Sequence, residues 1–236
     1  LTIEFGRRRC ALLQKENGLD SRKMLAIPNA PLGPAIRNRS DYFQQRFSIA
    51  KEKKILLYAG GTGGTQDSYG LEELLAHVDT WPEHCVLVIH SRLGRTRSTD
   101  RLETIISQKT HEIYLSTEPV AYEDLPLIYS SCDIGLQVWK PINTNLKNPD
   151  WSSGKVFQHF QAGVPVIASR LNGYEEFIEK NGAGLCVGHM REVGPAIAKI
   201  LANEATFREN CRKVFARYSF EKEHTKLVEK IKKRLK

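Results

Sequence analysis

Ser152-Ser153-Gly154-Lys155-Val156-Phe157-Gln158-His159-Phe160-Gln161-Ala162-Gly163-Val164-Pro165-Val166-Ile167-Ala168-Ser169 is the stretch on which the fold turns. It reads as a hydroxyl-rich loop, a short helix, a glycine stop and a buried strand. Ser152 or Ser153 caps the helix, Val156, Phe157 and Phe160 give it an apolar face, and Gly163 ends it. Lys155 is out of place by propensity, because a cation in the first turn faces the positive end of the helix dipole. An anion docked at the free N–H groups there would account for it, since amides and an ammonium together hold a phosphate. A solvated lysine on a surface helix is the plain alternative, and the flanking pattern favours the anion.

Outward from this segment the chain alternates. Apolar runs at residues 55–59, 85–90, 112–116, 133–138, 164–169 and 184–187 predict strands. Residues 70–79, 96–109, 122–131, 155–162 and 174–181 predict the helices between them. The runs lack polar alternation, as expected of a parallel sheet covered on both faces. Right-handed crossovers then give an α/β, Rossmann-like doubly wound parallel sheet with its ligands at the carboxyl ends of the strands. Residues 1–20 predict one short helix with a basic face, and residues 23–29 a short strand stopped by Pro28. Residues 30–40, with Pro31, Gly33 and Pro34, read as a linker, and residues 41–47 begin a short helix. The tail from Arg191 is helical, and its end mixes Phe220, Leu227, Val228, Ile231 and Leu235 with many lysines. No internal repeat and no low-complexity segment interrupts the pattern.

Composition narrows the class. The 236 residues allow one large domain or two small ones, and 41% hydrophobic with 26% charged residues is normal for a globular protein with a real core. No apolar run approaches a membrane span, and the start lacks the layout of a secretory signal. A first residue of Leu rather than Met suggests a piece of a longer protein. Cys10, Cys85, Cys132, Cys186 and Cys211 show no metal-type spacing and read as reduced thiols of a cytoplasmic protein. The net charge of +8 suits nucleic acid, anionic lipid or phosphorylated ligands alike. No aromatic RNA platform and no zinc-finger spacing is present, so nucleic acid is not an expected partner. Arg7-Arg8-Arg9 and the Arg92, Arg95, Arg97 and Arg101 cluster read mainly as solvated charges.

The segment from Ser152 to Ser169 resembles the nucleotide-sugar-binding half of the retaining GT-B glycosyltransferases of family four, in which Lys, an apolar residue, Phe and then Gly-x-Pro-Val-Ile-Ala-Ser recur in this order. Asn172-Gly173-Tyr174-Glu175-Glu176 and Asn181-Gly182-Ala183-Gly184 follow as they do in that family. Upstream, Tyr122-Glu123-Asp124-Leu125-Pro126 with Cys132-Asp133-Ile134-Gly135-Leu136 is similar to its helix and strand, and Lys54-Ile55-Leu56-Leu57-Tyr58-Ala59-Gly60-Gly61 to its opening strand. Ile27-Pro28-Asn29-Ala30-Pro31 looks like the crossing between its two domains. The resemblance implies a remnant of an acceptor domain over residues 1–31, a linker over 32–52, a donor-binding domain over 53–218 and a C-terminal helix over 219–236.

The glycine run Gly60-Gly61-Thr62-Gly63-Gly64-Thr65 permits close approach of backbone amides to an anion, and a flexible turn is an equal reading. The resemblance implies that Gly60 and Gly61 line the cleft near the donor phosphates. Gln66, Asp67 and Tyr69 stand where many members carry a cation, which leaves Arg92 or Arg95 to substitute. The loop Thr117-Glu118-Pro119-Val120-Ala121 is implied to hold the nucleobase, which brings Glu118 into the donor site. Many relatives carry two glutamates with seven residues between them; counting back from Gly163, Asp150 and Gln158 occupy those positions. Glu175 or Glu176 falls near a further carboxylate of the family, or else simply favours a helix start. Trp139 and Trp151 either stack on a base or sugar ring or cover the sheet edge. His159 has no second ligand at metal spacing, and His90, ending a strand, either points into the cleft or is a satisfied interior histidine.

Together these imply a donor site of Gly60, Gly61, Arg92, Glu118, Ser152, Ser153, Gly154, Lys155 and Gln158, with Asp150 and Glu175 as catalytic candidates and no metal or cofactor. The implied activity is transfer of a sugar from a nucleotide-sugar to a glycan or lipid-linked acceptor in polysaccharide or glycoconjugate synthesis. The acceptor would sit mainly on a domain this chain lacks, so the piece alone is expected to be inactive. A non-catalytic nucleotide-sugar-binding module and a nucleotide-sugar epimerase are the alternatives. The basic final helix either packs back on the missing domain or approaches anionic lipid at the membrane.

Overall fold

A computed structural model describes residues 1–62, 70–91 and 94–234 of the chain. Its main sheet has six parallel strands: β3 (Lys54–Gly60), β4 (Cys85–Ser91), β5 (Ile113–Ser116), β6 (Ile134–Gln137), β7 (Val166–Ser169) and β8 (Gly184–Val187). They lie in the order β5-β4-β3-β6-β7-β8, so the strand order reverses between β3 and β6. That reversal leaves a crevice at the carboxyl ends of the two central strands, where open α/β sheets bind their ligands. Every residue of β4 is buried, as is all of β3 after Lys54, which explains the apolar runs Ile55–Ala59 and Cys85–Ile89.

Helices α3 (Leu71–His77) and α4 (Arg97–Ile106) cover one face together with α8 (Val193–Leu201). The other face carries α2 (Tyr42–Phe47), α5 (Leu125–Ser130) and α7 (Gly154–Gln161), with α9 (Glu204–Arg217) packed against α7. Gly163 has φ 64°, the left-handed residue that the sequence requires after α7. A Cβ there would meet the Arg212 guanidinium of α9, so the same glycine also lets α9 close in.

Two segments differ from the sequence expectation. Residues 1–20 do not form one helix: β1 (Thr2–Phe5) precedes α1 (Arg7–Asn17) and pairs in parallel with β2 (Met24–Ile27). Gly6, at φ 94°, turns the chain between them, a conformation that a continuous helix cannot contain. Residues 174–181 wind as a π-helix over Glu175–Glu179 rather than an α-helix, with Lys180 N–H bonded to Glu175 C=O at 2.9 Å. The loop before α7 also holds a short helix, α6 (Thr144–Lys147), and a 3₁₀ turn at Asp150–Ser152. The basic tail forms α10 (Phe220–Arg234), which lies over β2, where Arg234 donates to the Met24 carbonyl at 3.1 Å. Among the described residues no helix is long and apolar enough to cross a membrane. All five cysteines are buried and unpaired.

Candidate functional site

The N-terminus of α7 opens into the crevice because β6 ends, the chain loops out, and the helix returns antiparallel to the strand. Ser153 is the residue before the helix, but its hydroxyl makes no capping bond. The Ser152 and Ser153 N–H groups both donate to the Pro149 carbonyl, at 2.7 and 3.2 Å. The 3₁₀ turn consumes those two amides, so the donors expected from Ser152 and Ser153 are moved inward, to the first turn that Gly154 begins. Such first-turn N–H groups have no acceptor within their own helix. No carboxylate stands in the first turn of α7, and Lys155 does.

Across the crevice, β3 delivers Ala59 and Gly60 to the same place. A Cβ on Gly60 would collide with the Lys155 ammonium, so the missing side chain is what lets Nζ lie against the strand end. The Tyr58 hydroxyl donates to the Gly61 carbonyl at 2.8 Å and ties down the turn that follows. Asn29, from the segment after β2, clasps the helix tip from the other side. Its N–H donates to Trp151 C=O at 2.9 Å and its side-chain amide to Ser152 C=O at 3.1 Å.

These residues border a cleft of about 440 Å³, whose walls include Asn29, Gly60, His90, Val120, Tyr122, Tyr129, Gly154, Lys155 and Gln158. A second cavity of about 280 Å³ lies on the other side of Lys155, between β6, α7 and the loop before it; Ser152, Ser153, Gln137 and Trp139 line it. Ala59, Gly154 and Lys155 belong to both. His90 combines its two readings: it lines the cleft, and its Nδ1 pairs with Ser116 Oγ at 3.0 Å. Burial, with Arg46 adding to it, holds the His90 imidazole below its ordinary value and hence neutral.

Other expected site residues lie apart from these cavities. Asp150 is buried against α1: its carboxylate accepts the Arg8 N–H at 3.2 Å, and a Cβ on Gly6 or Gly173 would strike it. It therefore caps α1 from a distance, a position no spacing rule foretells. Glu175, on the π-helix, is about half exposed and pairs with Arg170, just after β7, and Glu176 pairs with Arg8 at 3.3 Å. Glu118 turns outward to Arg46 at 2.7 Å, while its neighbour Val120 lines the cleft. The hydrogen bond from Arg46, with its charge adding to it, holds the Glu118 carboxyl below its ordinary value. Arg95 is engaged by Asp100 and Glu103, at 3.0 and 2.7 Å. Arg92 and residues 63–69 lie outside the described residues. Trp151 packs between the Arg7 guanidinium, 4.3 Å from its ring centre, and Tyr218, against the apolar cluster between α7 and α9, and lines neither cavity. Asn29, Tyr122 and Tyr129 complete the cleft unannounced. Only Asn29 carried a signal, as the polar residue straight after a Pro-stopped strand.

The described residues lining both cavities include no carboxylate. What these described residues offer is a cation, the first turn of α7 and aromatic walls, a setting that receives negative charge. Chemically it suits a phosphorylated ligand with a flat ring.

Residues 71–229, more than half of the chain, match the family model described as glycosyl transferase-like. Among solved structures, HepE from Anabaena in complex with UDP-glucose is 14% identical at a TM-score of 0.72, over 99% of this chain and 64% of that one. Sucrose-phosphate synthase from Thermosynechococcus elongatus is 19% identical at a TM-score of 0.69, over 98% of this chain and 57% of that one. WaaG, a glycosyltransferase involved in lipopolysaccharide biosynthesis, is 15% identical at a TM-score of 0.64, over 91% and 58%. The chain thus spans about three fifths of the length of these structures. At such identities the likeness is one of fold, here the GT-B type with its Rossmann-like sheet. No curated protein matches the chain. The chain belongs to the glycosyl transferase-like family.

Proposed function

We propose that this glycosyl transferase-like chain is the donor-binding half of a glycosyltransferase, which passes a sugar from a nucleotide-sugar to an acceptor. The observation that carries the reading is the meeting of the Lys155 ammonium, the α7 tip and the bare backbone of Gly60 at the mouth of a cleft of about 440 Å³. The diphosphate lies at that tip, with the nucleoside toward Val120, Tyr122 and Tyr129. UDP or UDP-glucose is bound in the HepE structures, which supports a nucleoside diphosphate as the ligand class.

Transfer requires charge to accumulate on the departing diphosphate. Fixed amides and an ammonium, aimed where that charge develops, stabilise the transition state more than the ground state. Lys155 and the first-turn amides of α7 fill that role without a metal. Gln158, on the cleft wall, hydrogen-bonds the ribose through its neutral amide. The acceptor, a glycan or lipid-linked sugar, is held by a domain outside this chain, and the lysines of α10 offer contact with anionic lipid. Titrating nucleoside diphosphates while following the melting temperature tests the reading, because a ligand of the folded state must raise it. No shift at millimolar ligand removes it.

One observation favours a second reading. Among the described residues the cavity walls carry no carboxylate, and Asp150 is engaged at α1, so donor binding without transfer is the rival. The longer protein, assayed for both transfer and donor hydrolysis, separates the two.

A further inference from the structure

Strand β6 and helix α7 face each other in a register that can be followed residue by residue. Gly135, in the middle of β6, has no Cβ because the His159 ring occupies that space. Gln137 lies two residues further along and projects on the same side of the sheet. One turn back along α7 from His159 stands Lys155. A strand advances about 6.6 Å over two residues and a helix about 5.4 Å per turn, so Gln137 comes level with the first turn of α7.

The Gln137 side chain is buried, at 1% exposure, and forms part of the wall of the cavity of about 280 Å³. Among the described residues neither its amide nitrogen nor its amide oxygen has a hydrogen-bond partner. A buried primary amide with both ends unsatisfied is costly, and its neighbour in register on β7 is the apolar Ala168. The ring of Trp139 forms another wall and is fixed by its Nε1–H bond to Leu146 C=O at 3.2 Å. An immobile aromatic face beside an amide that offers both a donor and an acceptor matches a polyhydroxylated ring: apolar C–H groups lie on the indole, and adjacent hydroxyls meet the amide.

We infer that Gln137 is a specificity-determining residue, whose amide reads a neighbouring pair of hydroxyls on the donor's sugar ring in the cavity beside Trp139. The inference rests on the donor-binding reading, which sets the diphosphate at Lys155, the residue the two cavities share. With the nucleoside in the larger cleft, the sugar ring falls into the smaller one. Gln137 moves no proton; it holds and selects.

The test compares the chain with its Gln137→Met variant, and with Gln137→Leu should Met pack poorly. The probes are UDP, UDP-glucose, UDP-galactose, GDP and GDP-mannose, with affinities from calorimetry and melting temperatures without ligand. The expected result has three parts. Affinity for the bare diphosphate stays within about twofold. The ratio of nucleotide-sugar to diphosphate dissociation constants rises roughly tenfold, as for the loss of paired hydroxyl contacts. The ligand-free variant melts about 2–4 °C higher, since two orphaned polar atoms are gone. An unchanged ratio overturns the inference and leaves the donor site standing. Ligand-free variants that both melt lower overturn it as well, because the amide is then a partner in the packing. If the unmodified chain binds none of the probes, the donor-binding reading fails and takes this inference with it.

Discussion

The two ends of strand β6 treat buried polar groups in opposite ways. At the amino end, Asp133 is fully buried and completely paired. Its carboxylate accepts from both terminal nitrogens of Arg39, from Arg208 at 3.2 Å and from the Ile55 N–H at 2.8 Å, with the Lys54 ammonium 3.7 Å away. At the carboxyl end, Gln137 is equally buried and has no partner at either amide atom among the described residues. Between them the neutral His159 packs over Gly135, with its Nε2 also unpaired among the described residues. A saturated polar group specifies a fold, whereas an unsaturated one leaves a fold with a debt that a ligand settles. The contrast fits stability at the amino end of β6 and, on the proposed donor-binding reading, recognition at its carboxyl end.

The sharpest way to break this contrast is Asp133→Ala. It strands the Ile55 amide and separates Arg39 and Arg208 from their shared carboxylate, and should lower stability by about 3–5 kcal/mol in urea unfolding. Nucleoside diphosphate affinity should survive; its loss would join the two ends that are here held apart. Next comes His159, whose imidazole burial pushes down to about 3, with Lys155 adding to the shift. The folded state keeps this group neutral while the unfolded chain protonates it near pH 6.5. Its contribution is therefore present above pH 6.5 and lost as pH falls toward 3. Between pH 6 and 5, before most carboxylates titrate, His159→Leu should flatten the stability curve by about 1.4 kcal/mol per pH unit. An equal slope in both proteins would mean that the imidazole finds a partner.

At the other end, Lys155→Ala removes a charged contact worth about 2 kcal/mol, which predicts roughly thirtyfold weaker nucleoside diphosphate binding by calorimetry. The melting temperature should move by no more than about 2 °C, because the side chain is not part of the core. Unchanged affinity would move the anion away from the α7 tip. The smallest effect is assigned to Glu175→Gln. Its pair with Arg170 is about half exposed, so stability should change by at most about 0.5 kcal/mol. Donor affinity should stay within about twofold, and a large loss would bring the π-helix into the site.

Much of this was written in the chain itself. The unbroken apolar runs forecast six parallel strands within a few residues of their observed ends, because burial on both faces leaves no room for alternation. The Gly163 stop and the cation in the first turn of α7 were equally legible, since both obey local backbone geometry. Thr2–Phe5 was misread as helix because its strand exists only through pairing with β2, some twenty residues on.

Local stereochemistry and the hydrophobic pattern therefore determined the sheet, its class and the lysine-bearing helix tip, all of which depend on neighbours in sequence. Which carboxylates reach the crevice was decided only in three dimensions. Asp150 goes to α1, Glu118 to Arg46 and Glu175 to Arg170, because each partner comes from a distant part of the chain or from a turn whose path the fold sets. Gln137 was silent in the sequence for the same reason: an amide is orphaned only by what folding places around it.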